Sequence, residues 1–260
     1  MEPKLSVIVP VFNGAPSIIS LIDRILSCGL SDLEILVGND ASTDETQSML
    51  DSIQDSRVRV FSFTENLGAG AVRNALLAAA KGEYIAMQDA DDSFRADRFL
   101  KQILFLEAHP EIGVVGSAAS LVEGSSSWGS LLPSKKPSFK DWIFKRSVVH
   151  ASILFRKSLL NEKTQYHENL DFGEDYHFLL QIYFQGARFE NLEEELYIYK
   201  ISKADLKQRA FKNFRKLLRM EGELSRLFPL WSRPFYLGLN SLKLVLSFAK
   251  GFVSFMKERQ

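Results

Sequence analysis

Apolar residues in the first half of the chain alternate between two periods. Leu5-Ser6-Val7-Ile8-Val9-Pro10-Val11 is a β-branched run that halts near a proline, the pattern of a buried strand. Asn13-Gly14 marks a turn, and Pro16 suits the first turn of a helix, where its missing N–H costs nothing. Ile18, Ile19, Ile22, Ile25 and Leu26 then follow helical spacing, with Gly29 placed to cap the C-terminus. Leu33-Glu34-Ile35-Leu36-Val37 predicts a second strand. Ser42 and Glu45 form the Ser-x-x-Glu pattern of a capping box and predict a second helix. Val58-Arg59-Val60-Phe61 predicts a third, short strand. A helix is predicted from Gly70 to Ala80, stopped by Gly82, and Glu83-Tyr84-Ile85-Ala86-Met87 is a fourth apolar run. Strands alternating with helices in this way imply an α/β fold with a doubly wound parallel sheet.

After Pro110 the pattern loosens. Val114-Val115-Gly116-Ser117 and Ala151-Ser152-Ile153-Leu154-Phe155 predict strands, and Asp175 to Gln185 predicts a helix closed by Gly186. Gly124-Ser125-Ser126-Ser127-Trp128-Gly129 reads as a loop by composition. Trp128 is either a lid or a packed anchor of that loop. From Lys203 onward the chain reads as helical, with a boundary near residues 200–203. Lys203, Lys207, Arg209, Lys212, Arg215, Lys216 and Arg219 crowd its first stretch. Between Phe235 and Lys257, Lys243, Ser247, Lys250, Ser254 and Lys257 fall on one stripe of an otherwise apolar helix. Such a face is buried in the interfacial zone of an anionic bilayer, or against another helix of its own domain or of a homodimer.

Composition narrows the field. The chain is 46% hydrophobic and 25% charged, enough to bury a large core. Its 32 basic residues balance 32 acidic ones, so overall charge gives no case for nucleic-acid binding. Cys28 is the single cysteine, which excludes an internal disulfide framework and a cysteine-based zinc site. Met1-Glu2-Pro3-Lys4 lacks the features of a signal peptide, and a cytoplasmic location is expected.

The fourth apolar run ends in Asp89-Ala90-Asp91-Asp92, a cluster of acids at the C-terminal end of a strand. Open α/β sheets bind ligands in the crevice beyond such strand ends. Two acids two residues apart can share a hard divalent cation, which can in turn clamp a diphosphate. A solvated turn with a helix cap is the plainer alternative.

Five segments occur in order: Pro10-Val11-Phe12-Asn13; Glu34 to Asp44, containing Asn39-Asp40; Asn66-Leu67-Gly68-Ala69-Gly70-Ala71-Val72-Arg73-Asn74; Gln88 to Asp92; and Gly173-Glu174-Asp175. Together they resemble the family 2 glycosyltransferases over roughly residues 4–200. The resemblance implies a GT-A-type fold, a doubly wound, mostly parallel sheet flanked by helices. Residues 1–202 would form it, divided into a nucleotide-sugar-binding half (1–110) and an acceptor-binding and catalytic half (111–202), with residues 203–260 as a C-terminal helical extension. It implies a non-processive, inverting transferase that moves a sugar from a nucleotide-diphosphate donor, UDP-linked, to a hydroxyl of a saccharide or lipid-linked saccharide in bacterial surface-polysaccharide assembly. The Gln-x-x-Arg-Trp motif of the long processive members does not occur.

Residue roles carry over position by position. By the resemblance, Val11 and Asn13 contact base and ribose, and Asp40 accepts the uracil N3–H; Asn39 departs from the more frequent Asp. Arg73 supports the nucleotide pocket and its acids. Asp89 faces the ribose or sugar, Ala90 contributes backbone, and Asp91 coordinates Mn or Mg. Asp175 is the general base, with Asp171 and Glu174 as neighbouring competitors. Asp92 caps the next helix or orients Asp91, Pro10 and Phe12 shape and pack the first turn, and Asn74 packs its helix or supports a turn. His150 is either near the diphosphate or structural. Two rival readings are a sugar nucleotidyltransferase, which would need a glycine-rich basic loop where Pro10–Gly14 stands, and a non-catalytic nucleotide-sugar-binding scaffold, which would need neither Asp91 nor Asp175.

Overall fold

A computed structural model describes residues 2–144, 147–170, 172–206, 223, 224, 226 and 227. Among the described residues nine strands form one sheet. They are β1 (Leu5–Val11), β2 (Leu33–Asn39), β3 (Val58–Ser62), β4 (Tyr84–Met87), β5 (Ser93–Phe94), β6 (Val114–Glu123), β7 (Ser126–Leu131), β8 (Leu154–Arg156) and β9 (Phe189–Lys200). The helices are α1 (Ile18–Leu26), α2 (Thr46–Asp51), α3 (Ala69–Ala79), α4 (Arg98–Ala108), α5 (Phe139–Phe144) and α6 (Glu174–Phe184). Strand order is β3-β2-β1-β4-β8-β6-β9-β5, with β7 paired to β6.

The first four strands in that order are parallel, and β6 and β9 form a second parallel pair. Antiparallel β8 joins the two sets. Both faces of the sheet are covered, which is why the strands read as near-continuous apolar runs. On one face Ile8, Leu36, Ile85 and Met87 meet Val72, Leu76 and Leu77 of α3 and Phe178, Leu179 and Ile182 of α6. On the other, Val7, Val9, Ile35 and Val37 meet Ile18, Ile22 and Ile25 of α1 and Phe99, Ile103 and Leu106 of α4. The period of two along each strand sorts these side chains. Val11 lies opposite Asn39, and Met87 opposite Ile8. The loops after β1, β2 and β4 therefore open at one edge, and that edge carries the motifs.

Several expectations need correction. The Ser42–Glu45 capping box does not form. Helix α2 begins at Thr46, whose N–H donates to the Asp44 carboxylate at 3.0 Å, while Ser42 Oγ accepts the Asn13 N–H. Gly29 holds a left-handed φ of 85°, but α1 ends at Leu26, so the glycine serves the turn into β2. The serine-rich segment is not a loop: Ser126–Leu131 pairs with β6, and the turn is confined to its start, where Gly124 has φ 60°. Small polar residues suit a half-exposed hairpin strand, and composition alone hid it. Trp128 donates its indole N–H to the Ile201 carbonyl at 2.8 Å under Lys203, an anchor rather than a lid. The strand expected at 151–155 is shortened by a 3-10 turn at His150–Ser152.

Strand β9 ends at Lys200, beside the expected boundary. Most of the basic and amphipathic tail lies outside the described residues. Among those described, no helix is long and apolar enough to cross a membrane.

Candidate active site

The loops at the open edge are tied to one another before any ligand is considered. Asn13 adopts a left-handed φ of 53°, and its Oδ1 accepts the Thr43 N–H at 2.8 Å, joining the loop after β1 to the loop after β2. Val11 is buried beneath it, and its carbonyl accepts the Asp40 N–H at 2.9 Å. Gly14 has no room for a side chain, since a Cβ there would stand 2.3 Å from Val11 Cγ2. Ala90 packs against the same spot. Phe12, expected to pack, is 51% exposed at the rim. Asn39 is buried and turns its amide onto Gln47 and the Ser42 N–H.

Asp40 is buried, and its two oxygens accept the N–H groups of Leu67 (2.7 Å) and Gly68 (3.0 Å). It thereby satisfies backbone donors where the chain enters α3, which begins after Gly68 at φ 85°. Each carboxylate oxygen keeps a second lone pair for a ligand donor.

Arg73 is the centre of the site. It is 6% exposed and donates to Asp89 at 3.0 Å and to Glu174 at 3.1 Å. Its guanidinium lies 5.5 Å from the Tyr166 ring, which also stacks in parallel on Phe178 and meets His150 edge-on. Burial works against the cation, yet Asp89, Glu174 and Asp175 hold its pKa above the ordinary arginine value. Asn74, one residue on, exchanges hydrogen bonds with both main-chain groups of Tyr166 and so braces the segment that carries that ring. The arginine thus links the end of β4 to the N-terminus of α6. Gly173 precedes that helix at φ 82°, and Glu174 and Asp175 occupy its first turn, where the helix dipole favours acids. Burial and the neighbouring Asp175 raise the Glu174 pKa despite Arg73. Asp175 is half-buried, and its carboxylate accepts the Tyr176 N–H at 2.7 Å. Asp171 lies outside the described residues.

At the tip of β4, Asp89 is partly buried and Asp91 is exposed at the lip. Asp92 does not cap α4, which begins after Asp97. The Asp92 oxygens accept the Tyr197 hydroxyl and the Lys200 N–H, both at 2.8 Å, fastening β9 to the acid turn. Burial, then Asp91 and Asp89, push its pKa up to about 8. Among the described residues no three His, Cys, Asp or Glu side chains converge as a ready cage for a metal. Asp89 and Asp91 nevertheless fit a hard cation that draws its remaining oxygen ligands from a diphosphate and water.

His150 is buried with Nε2 2.7 Å from the Tyr166 hydroxyl; burial and Arg73 lower its pKa to about 3, so it is neutral. Tyr166 carries no motif and is invisible in the sequence. Arg98, wholly buried behind the acid turn, left a faint signal: Arg98 and Gln102 interrupt the apolar face of α4 at helical spacing.

A model of the family described as "Glycosyl transferase family 2" matches residues 6–163. The chain is 27% identical over 219 residues to the succinoglycan biosynthesis protein ExoO of Rhizobium meliloti (strain 1021), covering 78% of this chain and 62% of that protein. It is 34% identical over 103 residues to WfaP of Escherichia coli, a UDP-Glc:alpha-D-GlcNAc-diphosphoundecaprenol beta-1,3-glucosyltransferase, covering 40% and 41%. The chain thus spans less than two thirds of the length of either relative. Mannosyltransferase PcManGT from Pyrobaculum calidifontis, solved with GDP-Man and Mn2+, is similar at a TM-score of 0.70 and 19% identity, over 98% of this chain and 75% of that one. That likeness shows the fold alone, the GT-A-type doubly wound architecture.

Proposed function

The chain belongs to glycosyl transferase family 2, and from that premise we propose that it transfers a sugar from a UDP-sugar to a hydroxyl acceptor, non-processively and with inversion. The observation that carries the reading is Arg73, which places the acid turn and the Glu174–Asp175 pair on either side of one guanidinium. Val11, Asn13 and Asp40 hold the nucleoside in the crevice between the loops after β1 and β2. Asp89, steadied by Arg73, and the Ala90 backbone face the ribose and sugar. Asp91, with Asp89, would hold Mn or Mg, which supplies Lewis-acid neutralisation of the departing diphosphate.

Asp175 acts on the other reactant. It takes the proton of the acceptor hydroxyl as that oxygen bonds to the anomeric carbon. The bond from that carbon to the diphosphate oxygen breaks, and its electron pair leaves with the UDP. One such displacement inverts the centre. Glu174 stays engaged with Arg73, which favours Asp175 over Glu174 as the base. The names of ExoO and WfaP support a setting in bacterial polysaccharide assembly with a saccharide or lipid-linked saccharide as acceptor, and a cytoplasmic location is part of the same proposal. Purified chain with Mn2+ should release UDP slowly from at least one UDP-sugar, water replacing the acceptor. Release from a GDP-sugar alone would overturn the uracil assignment at Asp40, and no release from any nucleotide sugar would overturn the enzyme reading.

A further inference from the structure

Arg98 is 0% exposed, and among the described residues no carboxylate accepts from it. Its guanidinium donates to Gln102 Oε1 (3.1 Å), Gln88 Oε1 (2.8 Å), the Met87 carbonyl (2.9 Å) and the Ala151 carbonyl (3.1 Å). The rings of Phe99 and Tyr197 lie 5.0 and 5.1 Å from its central carbon. Burial lowers its pKa to about 10, which leaves it charged at neutral pH. Burying a cation on neutral acceptors alone is expensive, and a neutral residue would fill the same core at less cost.

The partners show where that charge acts. Met87 is the last residue of β4. Gln88, held by Arg98, donates its own amide to the Asp89 carbonyl at 2.9 Å, so the guanidinium, through Gln88, holds the Asp89–Ala90 peptide. Tyr197, over the guanidinium, donates its hydroxyl to Asp92. The acid turn is therefore met at its start, at Asp89 and at Asp92 by groups that Arg98 fixes. Arg73 balances the turn's charge from the crevice side, and Arg98 stands on the buried side.

We propose that Arg98 is a positioning residue for the acid turn, fixing the backbone that presents Asp89 and Asp91 and offsetting their repulsion from within the core. The inference rests on the reading of those acids as the cation and diphosphate site. Groups behind metal ligands typically account for about 10- to 100-fold in metal affinity.

The test is titration calorimetry of UDP with and without Mn2+ for the wild type, Arg98→Lys and Gln88→Met, with thermal melts in parallel. Lysine keeps the charge and loses the fork that reaches Met87, Gln88 and Ala151 together; Gln88→Met keeps Arg98 and cuts its link to Asp89. The wild type should bind UDP more tightly with Mn2+. In Arg98→Lys that tightening should fall by about tenfold or more while metal-free UDP binding is unchanged, and Gln88→Met should lose part of it. A folded Arg98→Lys variant that keeps the full Mn2+ effect, or loses metal-free UDP binding equally, overturns the inference alone. If Arg98→Lys fails to fold, a full Mn2+ effect in Gln88→Met does the same. A wild type indifferent to Mn2+ overturns the reading of the acid turn and this inference with it.

Discussion

Arg73 and Asp92 are both nearly buried and ionisable, and their surroundings push them in opposite directions. Arg73 has carboxylates on both sides, so removing it would leave Asp89 and Glu174 facing each other, and breaking a buried pair typically costs about 3–5 kcal/mol. Asp92 has two neutral donors and two acidic neighbours, and burial takes its pKa from 3.8 to about 8. An acid whose pKa is higher folded than unfolded binds more protons in the folded state between those values, so its share of stability falls as pH rises from about 4 to 8. Asp92→Asn keeps the acceptor for the Lys200 N–H without the charge. In metal-free buffer it should melt higher than the wild type at pH 8 and lose that advantage at pH 4.5; a constant difference across this range would contradict the assignment. At this scale the acids were legible. Asp40, Asp89, Asp91 and Asp175 end strands or begin a helix, and those places follow from local pattern. Tyr166 was not, and Arg98 only faintly, because the partners of each come from three distant segments.

At the scale of elements, β1, β2 and β4 were legible because both faces of a parallel sheet are buried, and an unbroken apolar run reports that directly. Strand β9 was hidden for the opposite reason. Glu193, Glu194 and Glu195 interrupt its apolar residues where its register against β6 shifts, so no alternation survives. The entry to β4 depends on Gly82, where a Cβ would stand 2.5 Å from the Ser6 nitrogen. Backbone cannot yield as a flexible side chain does, so Gly82→Ala should force β4 away from β1. The expected loss is about 1–3 kcal/mol in urea unfolding; a neutral result would mean that this approach is looser than described.

At the scale of the whole molecule, the sheet gathers loops from strands far apart in sequence at one edge, and Asp175 reaches that edge on a helix more than eighty residues after the acid turn. The order of the motifs implied this without fixing any distance. The division into residues 1–202 and 203–260 remains a proposal, as does contact of the tail with an anionic membrane or with a second copy. Basic residues near such a surface add on the order of 1 kcal/mol each, and salt screens that attraction but spares the apolar face. Full-length protein should therefore sediment with anionic vesicles at low salt and partly remain at high salt, and a chain ending at Leu230 should stay in solution. A full-length dimer that ignores vesicles, and that truncation makes monomeric, would assign the tail to self-association.

The central claim is a single displacement at the anomeric carbon with Asp175 as base. Proton NMR of the sugar first released from the UDP-sugar that the chain hydrolyses, read before mutarotation, tests it without knowledge of the acceptor. The wild type should release the anomer opposite to that of the donor. Asp175→Asn should bind UDP normally and turn over more slowly by about two to four orders of magnitude. A first-formed sugar with the donor's configuration, or an Asp175→Asn variant as fast as the wild type, would contradict the mechanism.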